Sequence, residues 1–344
     1  MAFKKLVIAS GQVSGASHSD FPVLIQPSKM TGWEALTLAE AESIRIYTDE
    51  AKTNEVAREV VDDSPDEIWV KVPTLTSSTE LYVDYDGVRA DYAVGATYGR
   101  NAVWGDYEFV SHDGGGTDST GNHSPTAGGG VTAGGVTGKI GDATTFDGID
   151  DHFDLGDSVL FDEQTSFQIW IKSPSASDIQ IAVQTEDTFD RRFTVFLRQD
   201  FDPKIVQGFY RDQGSNADYR LNTGSSDIFD DTWRSVAMTV DGDNGAYRYI
   251  DGSLNESVPV EDGETWGGFT PNVGTYIGAS IEFDRRYYNG DYDEVRIKSA
   301  ALSPNWITTE YNNQNDVASF WGTVTDAGGD PPEPVADTGF FAFM

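Results

Sequence analysis

The stretch Thr232–Gly252, TWRSVAMTVDGDNGAYRYIDG, decides the fold. It carries the period-two alternation of a β-strand on both sides of DGDNG and closes on IDG. Asp-Gly and Asn-Gly tolerate the positive φ of tight turns, so the segment predicts hairpins of antiparallel strands. Working outward, SFQIWIKSP, RRFTVFLRQ, KIVQGFYRD and GTYIGASI repeat the pattern. Upstream, EIWVKVPTL sets Ile68, Val70 and Val72 against Trp69 and Lys71, and TELYVDYDG sets Leu81, Val83 and Tyr85 against Tyr82 and Asp84. Many short strands separated by turns predict an all-β chain of sandwiches rather than a parallel α/β fold. Two helices are expected, one in GWEALTLAEAES and one in LSPNWITTEYNNQN, where Ser303 is placed as N-cap and Pro304 in the first helical position.

Composition bounds the partners. The 344 residues suffice for two domains, and 38% apolar with 12% aromatic residues suffices to fill two cores. Fifty-seven acidic against 23 basic residues give a net charge of -34, spread along the chain. A field of that sign repels phosphate and anionic membrane surfaces, which points away from nucleic acid. Asp outnumbers Glu about two to one and lysines number nine, a balance that fits either work in strong brine or an acidic surface protein of a marine or ordinary host. No cysteine occurs, so neither disulfide nor thiolate chemistry is available. MAFKKLVIAS offers two lysines and three adjacent apolar residues, short of a signal-peptide core, and no stretch has the length to span a bilayer. Neither a Sec leader nor membrane insertion is expected.

Two resemblances follow. Ser19 to about Gly99, through DFPVLI, IRIYTDEAKT, IWVKVPTLTSSTELYVDY and ATYGRNAVW, resembles an uncharacterised β-domain that commonly precedes lectin-like modules in surface proteins and phage tail proteins. From Val103 to about Asn315 the chain resembles a laminin-G-like domain of the concanavalin A-like jelly-roll superfamily. DSTGN, GKIGDATTFDGIDDHFDLGD, SFQIWIK, TWRSVAMTVDGDNGAYRYIDG and YNGDYDEVRIKSAALSPNWITTEYNNQN match it in order and spacing. The organisation expected is an N-terminal β-sandwich over 1–100, the jelly roll over 101–322, and a Gly/Pro linker with an apolar C-terminal tail over 323–344. In this reading VWGDYEFV enters the jelly roll as a strand. The glycine-rich run after it is a rim loop, either a binding edge, a solvated connector or a surface buried against a neighbouring subunit.

The resemblance also implies a structural Ca²⁺, with Asp293 in DEVRI as the last-strand ligand, Asp106 in WGDY on the entering strand, and Asp147 in FDGIDD as a further source of oxygen. The alternative is that Asp293 accepts hydrogen bonds from turn amides without a metal. Glycan-binding candidates are Tyr210 and Arg211 in GFYRD, Trp266, and the FDRRYYNG cluster of Arg285, Arg286, Tyr287 and Tyr288. Paired arginines beside tyrosines grip carboxylated or sulfated sugars, unless the arginines merely pair with aspartates and the tyrosines fill core. Glycosidases of this superfamily carry acids on alternate positions of one strand. Here Asp291 and Asp293 share a face but no third carboxylate joins them, and Glu261, Asp262 and Glu264 surround a glycine, so no catalytic residue is assigned. His18, His112, His123 and His152 show no metal-ligand spacing, and His112 and His123 are expected at the surface. In the tail, Phe340, Phe341 and Phe343 form an apolar plug suited to an assembly contact or to its own chain.

Together these readings describe a lectin-like, non-enzymatic protein of a virion surface, on tail or capsid, that meets a glycan or glycoprotein of a prokaryotic host cell. Its partners would be other virion proteins and further copies of itself. The alternatives are a purely structural decoration, turret or tail component, and a glycan-processing enzyme.

Overall fold

The computed structural model describes residues 2–61, 64–159, 161–187, 191–212, 217–223, 228–259, 271–280 and 286–327. The chain opens with β1 (Ala2–Val7), β2 (His18–Ile25), α1 (Leu38–Glu42), β3 (Arg45–Tyr47), β4 (Glu55–Val56), β5 (Arg58–Val60), β6 (Ile68–Leu75) and β7 (Glu80–Tyr85). β1, β7, β3 and β4 pair in that order in one sheet, and β2, β6 and β5 in another. The first expected helix is α1, fixed by a capping box in which Thr37 and Glu40 satisfy each other's backbone amides.

After α2 (Arg100–Trp104) come β8 (Phe109–Ser111), β9 (Thr126–Gly128), β10 (Val136–Thr137), β11 (Asp142–Asp147), β12 (His152–Asp154), β13 (Gln164–Lys172), β14 (Ile179–Glu186) and β15 (Arg192–Arg198). These are followed by β16 (Ile205–Asp212), β17 (Ala217–Leu221), β18 (Trp233–Asp241), β19 (Gly245–Ile250), β20 (Ser253–Val258), β21 (Gly274–Ile277) and β22 (Asn289–Lys298). They build two facing sheets. One runs β10-β11-β22-β13-β18-β19-β20, with β8 also on β22; the other runs β17-β16-β15-β14-β21-β12-β9. The hairpins expected from Thr232–Gly252 are present, with Val236 opposite Ile250, Asp241 opposite Gly245, and β20 paired onto β19. Val236, Met238 and Val240 point into the sandwich core with Phe167, Phe193 and Tyr292.

The chain ends with α3 (Pro304–Asn315), α4 (Val317–Trp321) and β23 (Thr325–Asp326). Ser303 caps α3 by accepting from the Trp306 amide, with Pro304 at the first helical position. Trp306, Ile307, Phe320 and Trp321 fill the core of the first domain, and β23 pairs with β1. Asn313 clamps β2 through both backbone groups of Leu24 (2.6 and 3.1 Å), and the Trp321 indole donates to the same carbonyl (2.8 Å). α3 thereby packs on β2 while its other side meets the outer face of β13 and β22. That cover explains a departure from simple alternation. Ala237 and Tyr249 on β18 and β19 are buried although their neighbours already face a core, and Trp69 on β6 is buried likewise, against Trp104, His112 and Arg296.

VWGDYEFV is not the expected entering strand: Val103 and Trp104 end α2, and only Phe109–Ser111 is extended. The following run is solvated only in part: residues 121–137 are mostly exposed, but its first glycines are not. Gly114 and Gly115, at φ +87° and +129°, are buried where a Cβ would strike the Tyr292 carbonyl and the Phe153 ring. Asp113 Oδ1 gathers the amides of Gly115, Gly116 and Thr117 (3.4, 2.9 and 3.2 Å), and β9 then joins the edge of the second sheet.

Candidate functional site

Where the first domain meets the jelly roll, six ionisable side chains from both are buried together. Glu59 lies on β5, Glu67 just before β6, His112 just after β8, Glu294 and Arg296 on β22, and Glu310 on α3. His112 stacks on Trp69 with ring centroids 5.5 Å apart. Its Nδ1 faces Glu294 Oε1 (2.9 Å) and Glu67 Oε1 (3.4 Å), and its Nε2 faces Glu59 Oε2 (3.2 Å). Each glutamate also accepts from at least one further donor. Trp104 Nε1 and Ser119 Oγ donate to Glu59 (2.5 and 2.7 Å), Trp69 Nε1 to Glu67 (3.1 Å), and Arg296 to Glu294 and Glu310 (both 2.6 Å). The Arg296 guanidinium lies 4.2 Å from the Trp69 ring centroid and 4.9 Å from that of Trp104.

Strict alternation on β22 would send Glu294 into the sandwich core. The register with β13 instead shifts between Gln168 and Trp170, and Glu294 takes φ +50°. This bulge turns Glu294 to the outer face beside Asp293. It is the third carboxylate of that face, which the sequence pattern hid.

Burial and neighbouring charge separate the protonation states. Desolvation lifts Glu67 to about 8, the Glu294 charge adding to it, so Glu67 carries a proton at neutral pH. Burial opposes the Glu294 charge, yet His112 and Arg296 bring its carboxyl down to about 2. Desolvation likewise opposes a charged His112, but Glu294 and Glu59 raise it well above an ordinary imidazole. The cluster is therefore an imidazolium held among two carboxylates and one neutral carboxyl. Of its members, Glu59, Glu67 and His112 line a cavity of about 290 Å³ that also reaches Arg100, Asp113, Asp118 and Asp142.

A second concavity, of about 420 Å³, lies on the outer face of β15 and β16, lined by Arg192, Phe196, Arg198, Gln207, Phe209, Arg211 and Arg220. Register places these side chains: Arg192 is opposite Arg211, Phe196 opposite Gln207, and Phe209 opposite Arg220 on β17. The Arg211 and Arg220 guanidinium carbons both sit 5.1 Å from the Phe209 ring centroid. Arg198 binds both oxygens of Asp200 (2.8 and 2.9 Å) and Gln207 Oε1 (3.0 Å).

Residues 147–308 match the family model described as concanavalin A-like lectin/glucanases superfamily. This segment is a concanavalin A-like domain. Among solved structures, the chain is similar to the botulinum neurotoxin serotype D binding domain (TM-score 0.47, 15% identity, covering 61% of this chain and 51% of that one). It is also similar to domain 4 of AbnA, a GH43 extracellular arabinanase from Geobacillus stearothermophilus, in complex with arabinotriose (TM-score 0.44, 21% identity, 56% and 90%). A third is the binding domain of Paraclostridial Mosquitocidal Protein 1 (TM-score 0.47, 15% identity, 56% and 48%). The chain spans about half the length of the neurotoxin domains it matches. No curated protein matches it.

The expected site residues scatter. Asp293 is fully buried, and its Oδ2 accepts from the Ile140 amide (2.9 Å), which is the metal-free alternative of the sequence reading. Asp106 precedes β8 and is bound by Lys71 (3.1 Å) and Lys298. Asp147 ends β11 opposite Asn289, in an exposed turn where its Oδ1 accepts from the Ile149 amide (2.8 Å). Along β22, Asn289, Asp293 and Lys298 are separated by roughly 13 and 16 Å at about 3.3 Å per residue, so the three aspartates do not surround one ion.

Tyr210 and Tyr288 are not sugar platforms. Both are fully buried, Tyr210 edge-on to Phe193 (4.8 Å) and Tyr288 stacked on Tyr292 (3.8 Å) with its hydroxyl donating to the Lys172 carbonyl (3.0 Å). Arg286 and Tyr287 remain half-buried at the surface, Tyr287 beside His152. Trp266, Arg285, Glu261, Asp262, Glu264, Phe340, Phe341 and Phe343 lie outside the described residues. His112, expected at the surface, is 3% exposed because the first domain covers it. No local signal marks it: its partners lie in other elements, Glu294 being 182 positions away.

Proposed function

We propose that the protein binds a glycan on the groove of β15–β17, and that it binds without cleaving. The observation that carries this reading is the groove itself, in which Phe196 and Phe209 sit among four guanidinium groups on one sheet face. Aromatic rings stack on the C–H faces of sugars, and guanidinium forks take carboxylates and sulfates with two parallel hydrogen bonds. Four of the chain's 23 basic residues line this groove while its net charge is -34; Arg192 and Arg198 already pair with Glu186 and Asp200, so an acid-bearing glycan would exchange with those carboxylates. The superfamily match of residues 147–308 supports the same reading.

A glycan array that includes polygalacturonate and sulfated oligosaccharides tests it. Wild type is expected to retain acidic glycans, with affinity at least tenfold weaker, about 1.4 kcal/mol, in Phe209→Ala and in an Arg211→Ala/Arg220→Ala double variant. No retention, retention unchanged in both variants, or release of new reducing ends from the bound glycan would each overturn it.

The proposed setting is a virion surface, on tail or capsid, facing a host-cell glycan. It is supported by the resemblance of the first third to domains of phage tail and surface proteins. A decoration or tail component without glycan binding is the competing role. Assembly as a homo-oligomer through the Phe340–Phe343 plug belongs to the same proposal: deleting Gly339–Met344 should leave a folded chain that no longer joins particles. Incorporation at normal copy number would remove the plug from that role.

A further inference from the structure

We infer that Glu67, His112 and Glu294 form a site for a divalent transition cation, Zn²⁺ being the probe that fits its donor set. Their ligand atoms lie within 4.8 Å of one another, all three residues are buried, and they come from both domains. Zinc bonds of about 2.0–2.2 Å place neighbouring ligand atoms roughly 3.0–3.5 Å apart. His112 Nδ1 stands 2.9 Å from Glu294 Oε1 and 3.4 Å from Glu67 Oε1.

The surroundings are those of a metal ligand set. A bound cation would displace the Nδ1 proton of His112 and the Glu67 carboxyl proton to solvent; with the Nε2 proton kept and directed at Glu59, the Nδ1 lone pair would then face the ion between the two glutamate oxygens, the carboxylate–histidine–metal arrangement. Arg296 holds Glu294 through its far oxygen, Oε2 (2.6 Å), and Trp69 Nε1 donates to Glu67 Oε1 itself (3.1 Å), fixing that oxygen beside His112.

A second observation points to a ligand independently of the triad. Asp293, fully buried on the same face of β22, gives Oδ2 to the Ile140 amide and leaves Oδ1 without a hydrogen-bond partner among the described residues. A Cβ on Gly138 would meet Asp293 Oδ2 and one on Gly141 would meet Glu67 Oε2, so both carboxyls abut the turn over this site. Burial and the Glu294 charge keep the Asp293 carboxyl protonated, its Oδ1 is still left without a partner, and an adjacent cation would favour the ionised form and satisfy that oxygen. The cavity above provides entry, with Asp113, Asp118 and Asp142 on its wall to attract a cation and Arg100 beside them. Calcium, which takes six to eight oxygens, suits this imidazole-containing set poorly.

The full chain, stripped with EDTA and dialysed, is titrated with ZnCl₂ by calorimetry, with CaCl₂ in parallel. The expected result is one tightly bound zinc per chain, a roughly 10- to 100-fold loss of affinity in Glu59→Gln, and a larger loss in Glu67→Gln. X-ray absorption at the zinc edge should give one imidazole nitrogen among oxygens. Absence of saturable zinc binding overturns the site, as does affinity unchanged in Glu67→Gln. Loss of binding in Asp147→Asn also overturns it, because the ion would then sit on the exposed Asp147, Asp150 and Asp151 turn. If Glu67→Gln does not fold, the wild-type edge spectrum decides: a shell without imidazole ends the proposal.

Discussion

His18 ties β2 to α3 through one nitrogen: Nε2 donates to the Ser14 carbonyl (2.9 Å) and lies 3.0 Å from Thr309 Oγ1, with Phe21 and Trp306 rings against the imidazole. Burial lowers its proton affinity below that of a free imidazole, whose value is 6.5. The folded state thus prefers neutral His18. Its contribution is full above about pH 6.5 and is lost as pH falls from there through the lower folded value. Between about pH 7.5 and 5.5, wild type should lose more melting temperature than His18→Gln, an exposed-histidine titration being absent from the difference. Parallel losses would show that His18 keeps one protonation state across this range. The same scale explains the scattered binding residues. Tyr210 on β16 and Tyr288 just before β22 both turn inward, and inward or outward is a choice of face that residue type does not make.

At the scale of elements, the C-terminal segment closes the first domain. The Val324 amide donates to the Thr31 carbonyl (2.8 Å), and β23 adds to β1 with Lys4 opposite Asp326 and Lys5 opposite Thr325. Gly32 makes this approach possible: at φ +89°, a Cβ there would collide with the Val324 carbonyl. Gly32→Ala should cost about 1–3 kcal/mol from backbone strain alone. It should also speed hydrogen exchange in β1 and the β23 segment more than in the β18–β19 hairpin. A variant with the wild-type urea midpoint would mean that Val324 does not pack there. The elements themselves were largely legible. The β18–β19–β20 hairpins and the capped start of α3 follow from turn and cap chemistry carried by adjacent residues. VWGDYEFV misled because its aromatic run serves the end of α2 and a turn: Trp104 packs inward beside Tyr107 and Trp69, so period two was not the operative pattern.

For the whole molecule the dominant number is the net charge of -34. Self-repulsion of that size opposes compaction, and screening shortens from about 10 Å at 0.1 M salt to about 3 Å at 1 M. If the surface is adapted to brine, the melting temperature should climb by several degrees between 0.1 and about 2 M KCl. A flat curve would assign the acidic surface to an ordinary host. The folded charges are not uniformly acidic outside, because the charged groups between the two domains were withdrawn from water into a paired network.

What the sequence determined by itself is therefore local: alternation made the strands, Asp-Gly turns and Ser303 set their limits, and the acid excess fixed the field around the molecule. Only the tertiary structure decided which second faces are buried, since Trp69, Ala237 and Tyr249 are covered by elements distant in the chain. It also decided that a bulge would turn Glu294 outward to meet His112, and that four arginines would share one groove. The physical reason is that periodicity records which side of a strand is apolar. What lies against the other side depends on how the chain packs, and a cluster drawn from β5, β8 and β22 exists only once the two domains have closed on it.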